Sequence, residues 1–219
     1  MPTTAPTLDF VADIICPWCA IALRRLVAAL ATLATDGLYI RPAWRPFLLY
    51  PEMPKQGFAQ PDHLQRRFGS LAQAARYHAG VTEAGSYVGL DIRYDRITVT
   101  PNTVDAHRLL LAQEPHRQFE LADCLARAFL EEGRDIGDRL VLRELAGKAG
   151  LHPASVNRVL NGDALLDTVR SSNEVARRAG IMKVPTFCLH GRILTVPDIE
   201  DLAGVLRAAH RALAGNDPV

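Results

Sequence analysis

The sequence predicts an α/β fold in which an N-terminal β-α-β unit and a C-terminal α-β-β-α unit build one sheet, with a block of helices inserted between them. Three observations carry this. The first fifty residues read as strand, helix, strand; residues 61–161 are patterned mostly as helices; and the chain from Ala164 onward reads as helix, strand, strand, helix.

Residues 7–15 alternate loosely, with Leu8, Phe10, Ala12 and Ile14 on one side and Val11 and Ile15 giving partial cover to the other, as in a strand inside a two-sided sheet. Pro17 to Thr35 is rich in Ala and Leu, and Ile21, Leu23, Leu26, Leu30 and Leu33 recur at mostly helical spacing. Asp36-Gly37 closes this helix, because glycine takes the left-handed conformation of a C-terminal cap. Leu38 to Leu49 reads as a second strand, so the opening unit suits a parallel pair. Pro42, Pro46, Pro51, Pro54, Pro61 and Gly57 then mark an irregular stretch. Helices are expected over residues 62–77, 103–113, 117–132, 138–149 and 153–160, with Asn102 or Thr103 capping the second and Asp138 the fourth. No internal repeat is visible. A helix over 164–179 runs into Gly180. Val184 to Leu189 is expected as a strand, His190-Gly191 as a tight turn and Arg192 to Val196 as the hairpin partner. Pro197-Asp198 opens a last helix to Leu213, before a frayed tail from Gly215 to Val219. The order is that of a thioredoxin-like core, with one part in residues 1–51, an inserted helical domain in 52–162 and the second part in 163–219.

Lys plus Arg number 25 against 24 Asp plus Glu, a formal charge of +1 on 219 residues. That balance gives no reason to expect a nucleic acid or other polyanion as partner. Residues 1–15 lack a basic leader, and the apolar run Leu26 to Ala34 falls short of the ~20 residues of a membrane span. The expectation is a soluble cytoplasmic protein without a membrane partner.

Of the cysteines Cys16, Cys19, Cys124 and Cys188, two stand three apart at the junction of the first strand and helix. Thiol–disulfide exchange needs one cysteine that is thiolate near neutral pH and a second within reach to resolve the mixed disulfide. Cys16-Pro17-Trp18-Cys19 meets both demands. Cys16 would sit at the helix N-terminus, where unpaired N–H groups and the helix dipole favour negative charge. Pro17 would fall at the first helical position, where its missing N–H costs nothing. Cys19, a turn further in and more buried, would resolve. The competing readings are two reduced cysteines packed as small apolar groups, or half of a zinc site. Zinc would want a further Cys/His pair at short spacing, and the histidines offer none; Cys188 and His190 would point apart on a strand. No metal is expected. Cys124 reads as helix packing, and Cys188 as a buried strand thiol or a third redox thiol.

On these residues the chain resembles the DsbA-like oxidoreductases of the FrnE type, thioredoxin folds with an inserted helical domain. The matching stretches are Asp13-Ile14-Ile15-Cys16-Pro17-Trp18-Cys19, Trp44 to Leu49 with Pro54 and Gly57, Tyr94-Asp95-Arg96 through Pro101-Asn102-Thr103-Val104-Asp105-Ala106-His107-Arg108-Leu109, and Val184-Pro185-Thr186-Phe187. The resemblance implies a disulfide oxidase, reductase or isomerase acting on a thiol- or disulfide-bearing protein or small molecule. No cofactor would be bound, and glutathione or another thiol would be a possible co-substrate. It further implies a cis Val184–Pro185 bond beside Cys16, with Val184, Pro185 and Thr186 positioning substrate. Asn102, His107 and Arg108 would line the cleft, although Asn102 serves equally as a helix cap and the other two as interdomain contacts. Asp13 stands where it could influence the thiol's proton traffic, or is only a polar residue at a strand end. Two departures from the family are Leu194-Thr195-Val196-Pro197 after the hairpin and Cys188 at an aliphatic position.

The architecture is similar to that of kappa-class glutathione transferases and 2-hydroxychromene-2-carboxylate isomerases, the alternative reading, in which a serine or cysteine at position 16 activates glutathione and Cys19 is not needed. A third reading is a non-catalytic binding module. For the redox reading, the apolar Trp18 between the cysteines adds no positive charge near the thiolate. The Cys16–Cys19 potential is therefore expected to be less oxidising than about −120 mV, the value of the strongest oxidant of this class. Equilibration against glutathione measures it, and a pair that never forms a disulfide would remove the redox reading.

Overall fold

Strand β1 (Thr7–Ala12) is the strand on which the rest is assembled. The computed structural model describes residues 5–196 and 199–214 of the chain. In it β1 pairs in parallel with β2 (Arg41–Pro46) on one side and antiparallel with β5 (Thr186–Leu189) on the other, and β6 (Arg192–Ile193) completes the order β2-β1-β5-β6. Pro42 and Pro46 are tolerated because β2 is an edge strand, with one neighbour to satisfy. The β5–β6 hairpin turns on His190 and Gly191 at φ values of 50° and 74°, the paired positive angles of a turn whose twist matches its strands.

Alternation along β1 divides the interior. Leu8, Phe10 and Ala12 belong to the large core beneath α1 (Pro17–Thr35), whereas Val11 joins Phe47, Ala176, Ile181 and Cys188 in a smaller cluster on the opposite face. Phe10 is the hub: its ring lies 5.5 Å from Trp44 edge-on, 5.2 Å from Phe187 and 6.1 Å from Phe119 of the inserted helices. Such ring pairs add about 0.5–1.5 kcal/mol beyond the area they bury.

Between β2 and β5 lie α2 (Gln60–Phe68), α3 (Leu71–Ser86), α4 (Val104–Ala112), α5 (Gln118–Leu130), α6 (Arg139–Lys148), α7 (Pro153–Leu160) and α8 (Leu166–Arg178). The Arg24–Asp123 ion pair, 3.0 Å, ties α1 to α5. Helix α9 (Leu202–Ala214) packs on α1, with Arg25–Glu200 and Arg207–Asp36 pairs at the margin. Helix α1 spans 19 residues and reaches a mean hydropathy of 1.4, so by length and composition it could cross a membrane, unlike the shorter Leu26 to Ala34 run. Here it is the helix that fills the core, with Cys19, Leu23, Leu26 and Leu33 buried.

Two strands are shorter than expected, β2 covering Arg41–Pro46 within Leu38 to Leu49 and β6 Arg192–Ile193 within Arg192 to Val196, and the structure departs further from the sequence pattern in three places. The helix expected over 62–77 is two helices, because Gly69 closes α2 in the left-handed region (φ 75°) and Ser70 caps α3 by accepting from the Gln73 N–H at 3.2 Å. Within the stretch read as irregular, β3 (Phe58–Ala59) pairs antiparallel with β4 (Val99–Thr100). The last helix starts at Leu202; Pro197, Asp198 and the tail Gly215 to Val219 lie outside the described residues. Asp138 does cap α6, accepting from the N–H groups of Leu140 (2.7 Å) and Val141 (3.2 Å).

Gly57 precedes β3 with φ 72°, and a Cβ there would run into the Thr100 carbonyl and crowd Val99 and Pro101. Gly57→Ala is expected to lower stability by about 1–3 kcal/mol, since it combines strain at a positive φ with a backbone clash. Urea denaturation checks this, and an unchanged midpoint would show that the β3–β4 pair does not hold its neighbours in place.

Candidate active site

The redox pair is built by the way β1 hands the chain to α1. After β1 the backbone makes a turn closed by the Cys16 N–H to the Asp13 carbonyl (3.1 Å). Cys16 is then the N-cap of α1 with extended backbone (φ −79°, ψ 113°), and its carbonyl accepts from the N–H groups of Cys19 (3.0 Å) and Ala20 (3.1 Å). No side chain caps this end, so the first N–H groups of the helix remain beside Cys16. Pro17 occupies the first turn, as the missing N–H allows.

Both thiols are free, Cys16 being 5% exposed and Cys19 2%. The Cys16 Sγ contacts the Val184 carbonyl at 3.8 Å, and the Val184–Pro185 bond is cis. Burial pushes the Cys19 thiol well above its ordinary range, and a hydrogen bond to Cys16 together with that residue's charge pushes it further. The Thr186 hydroxyl donates to the Lys183 carbonyl (2.7 Å) and so fastens the segment that faces Cys16.

Asp13 is 1% exposed. One carboxylate oxygen accepts from the Leu49 N–H (2.8 Å) and the other lies 3.3 Å from Nε2 of His107, which is fully buried on α4. The indole N–H of Trp44 donates to Nδ1 of the same imidazole (3.1 Å), which leaves Nε2 to carry the proton toward Asp13. Leu48 and Leu49, which follow β2, are further held by Asn173, whose Oδ1 accepts from the Leu48 N–H (3.0 Å), and by Arg177, which donates to the Leu48 carbonyl (2.7 Å).

A cavity of about 330 Å³ opens beside Cys16, between the redox helix and the inserted helices. Pro17, Trp18 and Val184 form its core side; Tyr50, His63, Arg67, Tyr77, His78 and Tyr94 form much of the rest. Arg67 donates to the Tyr50 hydroxyl at 2.8 Å and also hydrogen-bonds Tyr77. His78 stacks on Tyr94 with ring centres 3.5 Å apart, and the Tyr94 hydroxyl is buried without a hydrogen-bond partner. Burial pushes the Tyr50 and Tyr94 phenols up, against the Arg67 charge. Burial also lowers His63 and His78, and for His63 the Arg67 and Arg66 charges add to it. Among the described residues no Asp or Glu lines this cavity, while Arg67 and Lys183 bring positive charge to it. Trp18, 39% exposed, also lines a second, apolar recess with Ile21, Pro185, Phe187, Leu194 and Ile199.

The candidate residues thus fall into two groups. Cys16, Pro17, Trp18 and Val184 surround the cavity, Pro185 and Thr186 line the neighbouring recess, and Cys19 lies beneath. Asp13 and His107 meet each other, and neither lines the cavity. Asn102 and Arg108 do not line it either. Asn102 joins the Met53 carbonyl (2.7 Å) to the start of α4, where it accepts from the Val104 N–H (3.0 Å). Arg108 clamps the carbonyls of Gly162 and Ala164 and the Asp105 carboxylate. Cys188 faces the other side of the sheet, its thiol pushed up by burial and by Asp9, and Cys124 is half-buried on α5. Among the described residues no cluster of His, Cys, Asp and Glu is arranged to hold a metal ion. Sequence reasoning missed Tyr50, His63, Arg67, Tyr77, His78 and Tyr94 as cavity residues; the one legible signal is a local run of aromatic and basic residues in α2 and α3, which covers His63, Arg67, Tyr77 and His78 but not Tyr50 or Tyr94.

Comparison with known proteins agrees with this geometry. Residues 7–208 match the family model of the DSBA-like thioredoxin domain. A probable DsbA oxidoreductase of Streptomyces coelicolor superposes with a TM-score of 0.81 at 29% identity, over 98% of this chain and 92% of that one. The cytosolic disulfide reductase DsbM of Pseudomonas aeruginosa, solved with GSH, shares the fold at a TM-score of 0.62 and 21% identity, over 94% of this chain and 99% of its own. The Bacillus subtilis protein YwbO is 24% identical over 184 residues, 83% of this chain and 86% of its own. A cysteine pair at the mouth of α1, a facing Val184–Pro185 segment and a family match across nearly the whole chain lead to one conclusion: the chain belongs to the DSBA-like thioredoxin domain family and is a DsbA-type thiol–disulfide oxidoreductase.

Proposed function

We propose that this enzyme is of the FrnE type and exchanges disulfides with a small, carboxylate-bearing thiol, glutathione or a thiol of like chemistry, in the cytoplasm. Cys16 is the nucleophile and Cys19 the resolving thiol; Val184, Pro185 and Thr186 position the substrate, and Trp18 borders it. The observation that carries the reading is the cavity itself. Cys16 is reached through a recess of about 330 Å³, the lower end of the range that holds small ligands, about 300–1,000 Å³. Its charged lining is positive, and Arg67 presents a fork suited to a carboxylate. DsbM, a cytosolic reductase that was solved with GSH, supports both the co-substrate and the compartment. The transferase or isomerase alternative is disfavoured by Cys19, whose hydrogen bond to Cys16 has no use where one thiol suffices.

Substituting Arg67→Gln is expected to raise KM for glutathione disulfide about five- to tenfold, the effect of losing one partly exposed charge-assisted contact, and to leave neutral hydroxyethyl disulfide within about twofold. Equal effects on both would discard the carboxylate reading. Cys19→Ser is expected to trap a mixed disulfide on Cys16, visible by mass spectrometry; undiminished glutathione-dependent turnover in that variant would instead favour the isomerase or transferase alternative.

The cavity histidines also predict a pH dependence of stability. Both are held below the ordinary imidazole value of 6.5, so the unfolded chain binds more protons than the folded one as pH falls through that value. Their contribution is complete above about pH 6.5 and is lost progressively below it. His78→Phe, which keeps a ring against Tyr94, should flatten the fall of the urea midpoint between about pH 7 and pH 5. A slope identical to wild type would mean that His78 titrates alike in both states.

A further inference from the structure

The two cations of the cavity stand on separate walls. Arg67 belongs to α2 of the insert; Lys183 lies on the core side, directly before Val184, whose carbonyl is 3.8 Å from the Cys16 Sγ. The Thr186 hydroxyl fastens the Lys183 backbone by donating to its carbonyl at 2.7 Å, while the residue itself is exposed. Among the described residues neither cation pairs with a carboxylate, and no carboxylate lines the cavity. The Arg67 partners Tyr50 and Tyr77 are neutral phenols, so its charge is not cancelled. The walls differ in the rest of their lining. On the insert wall are the rings of His63, Tyr77 and Tyr94; on the core wall are Pro17, Met182 and Val184. Aromatic faces attract an ammonium, so the insert wall suits a group that carries an ammonium beside its carboxylate. The core wall offers one lysine and suits a carboxylate alone.

We propose that Lys183 is a specificity-determining residue that anchors a second carboxylate, so that the site selects a thiol with one carboxylate on either side of its sulfur. The proposal rests on the disulfide-exchange reading above and narrows its substrate. In glutathione the sulfur lies between a γ-glutamyl end, with a carboxylate and an ammonium, and a glycine end with a carboxylate only. The γ-glutamyl end meets Arg67 and the aromatic wall, and the glycine carboxylate meets Lys183. When the Cys16 thiolate attacks one sulfur of the disulfide, the sulfur–sulfur bond breaks and one glutathione leaves as thiolate with the electron pair. The other is joined to Cys16 with its two carboxylates on the two cations. Lys183 takes no part in the sulfur exchange, so its effect falls on binding.

Removing the charge from either side of the contact tests this. Reduced protein is oxidised at low ionic strength, where an exposed ion pair is least screened, by increasing concentrations of glutathione disulfide or of the disulfide of glutathione ethyl ester, which lacks the glycine carboxylate. For the wild-type protein the ester is expected to need about three- to fivefold more disulfide for half-saturation, as suits one ion pair near the surface, with the limiting rate unchanged. Lys183→Gln should raise the half-saturating concentration of glutathione disulfide by the same factor and leave that of the ester within about 1.5-fold. Arg67→Gln should raise both, and Lys183→Arg, which keeps the charge, should raise neither. A lysine acting only through its field on Cys16 would alter both substrates alike in Lys183→Gln, and that result overturns the anchor. So does equal half-saturation by the two disulfides in the wild-type protein, a comparison that needs no variant to fold. A wild-type protein that reacts with glutathione disulfide no better than with hydroxyethyl disulfide overturns instead the reading on which the proposal rests.

Discussion

A carboxylate that is almost wholly removed from water has to be satisfied by the protein, and Asp13 is satisfied by groups from separate parts of the chain. Its own backbone closes the turn that delivers Cys16, its side chain holds the Leu49 N–H after β2, and it meets His107 from the inserted helices. Leaving a buried polar group without its partner costs about 1–3 kcal/mol, and more where the group is charged, as a carboxylate is. The arrangement of strand, redox helix and insert about this point is therefore tightly specified. Trp44 extends the constraint, since its indole holds His107 while its ring packs edge-on against Phe10 in the sheet. Polar satisfaction and apolar packing meet in the same side chain.

The insert reaches the strand–helix junction of β1 and α1 at two places. Helices α2 and α3 bring Arg67, Tyr77 and His78 to the cavity that opens on Cys16. Helix α4 brings His107 to Asp13, in the turn that leads to Cys16. Arg108, one residue further, secures α4 by binding the Gly162 and Ala164 carbonyls, so the proximity of His107 to the core does not depend on a single contact. The overall charge of +1 gives no hint of this division. A near-neutral surface and a locally positive cavity are compatible because a recess with low-dielectric walls responds to the few charges that line it.

What the sequence made legible was local. The alternation in β1, the Ala- and Leu-rich α1, the Asp138 cap and the His190-Gly191 turn each depend on neighbours a few residues away, and each is in the structure. The Cys16 to Cys19 spacing belongs with them, since one helical turn suffices to relate the two positions. Where the reading failed, the cause was either a competing local signal or a distant partner. Gly69-Ser70 is a stop and a start in adjacent residues, and the continuing helical pattern on both sides concealed it. Strands β3 and β4 are two residues each and pair across a separation of some forty positions, so neither has a periodicity to detect.

The cavity is the clearest case of non-local information. Arg67 and Tyr94 belong to different segments of the insert and Tyr50 to the stretch just after β2; nothing in their spacing from Cys16 marks them as a wall. Asn102 and Arg108 show the converse. A motif next to His107 suggested that all three share one role, yet Asn102 joins a loop to a helix start, Arg108 binds carbonyls, and His107 alone turns inward to Asp13. Successive residues on a helix point about 100° apart, so adjacency in sequence separates side chains as often as it unites them. For this reason an acid just after β1 and an imidazole 94 positions later meet directly, while the arginine beside that imidazole turns to other partners.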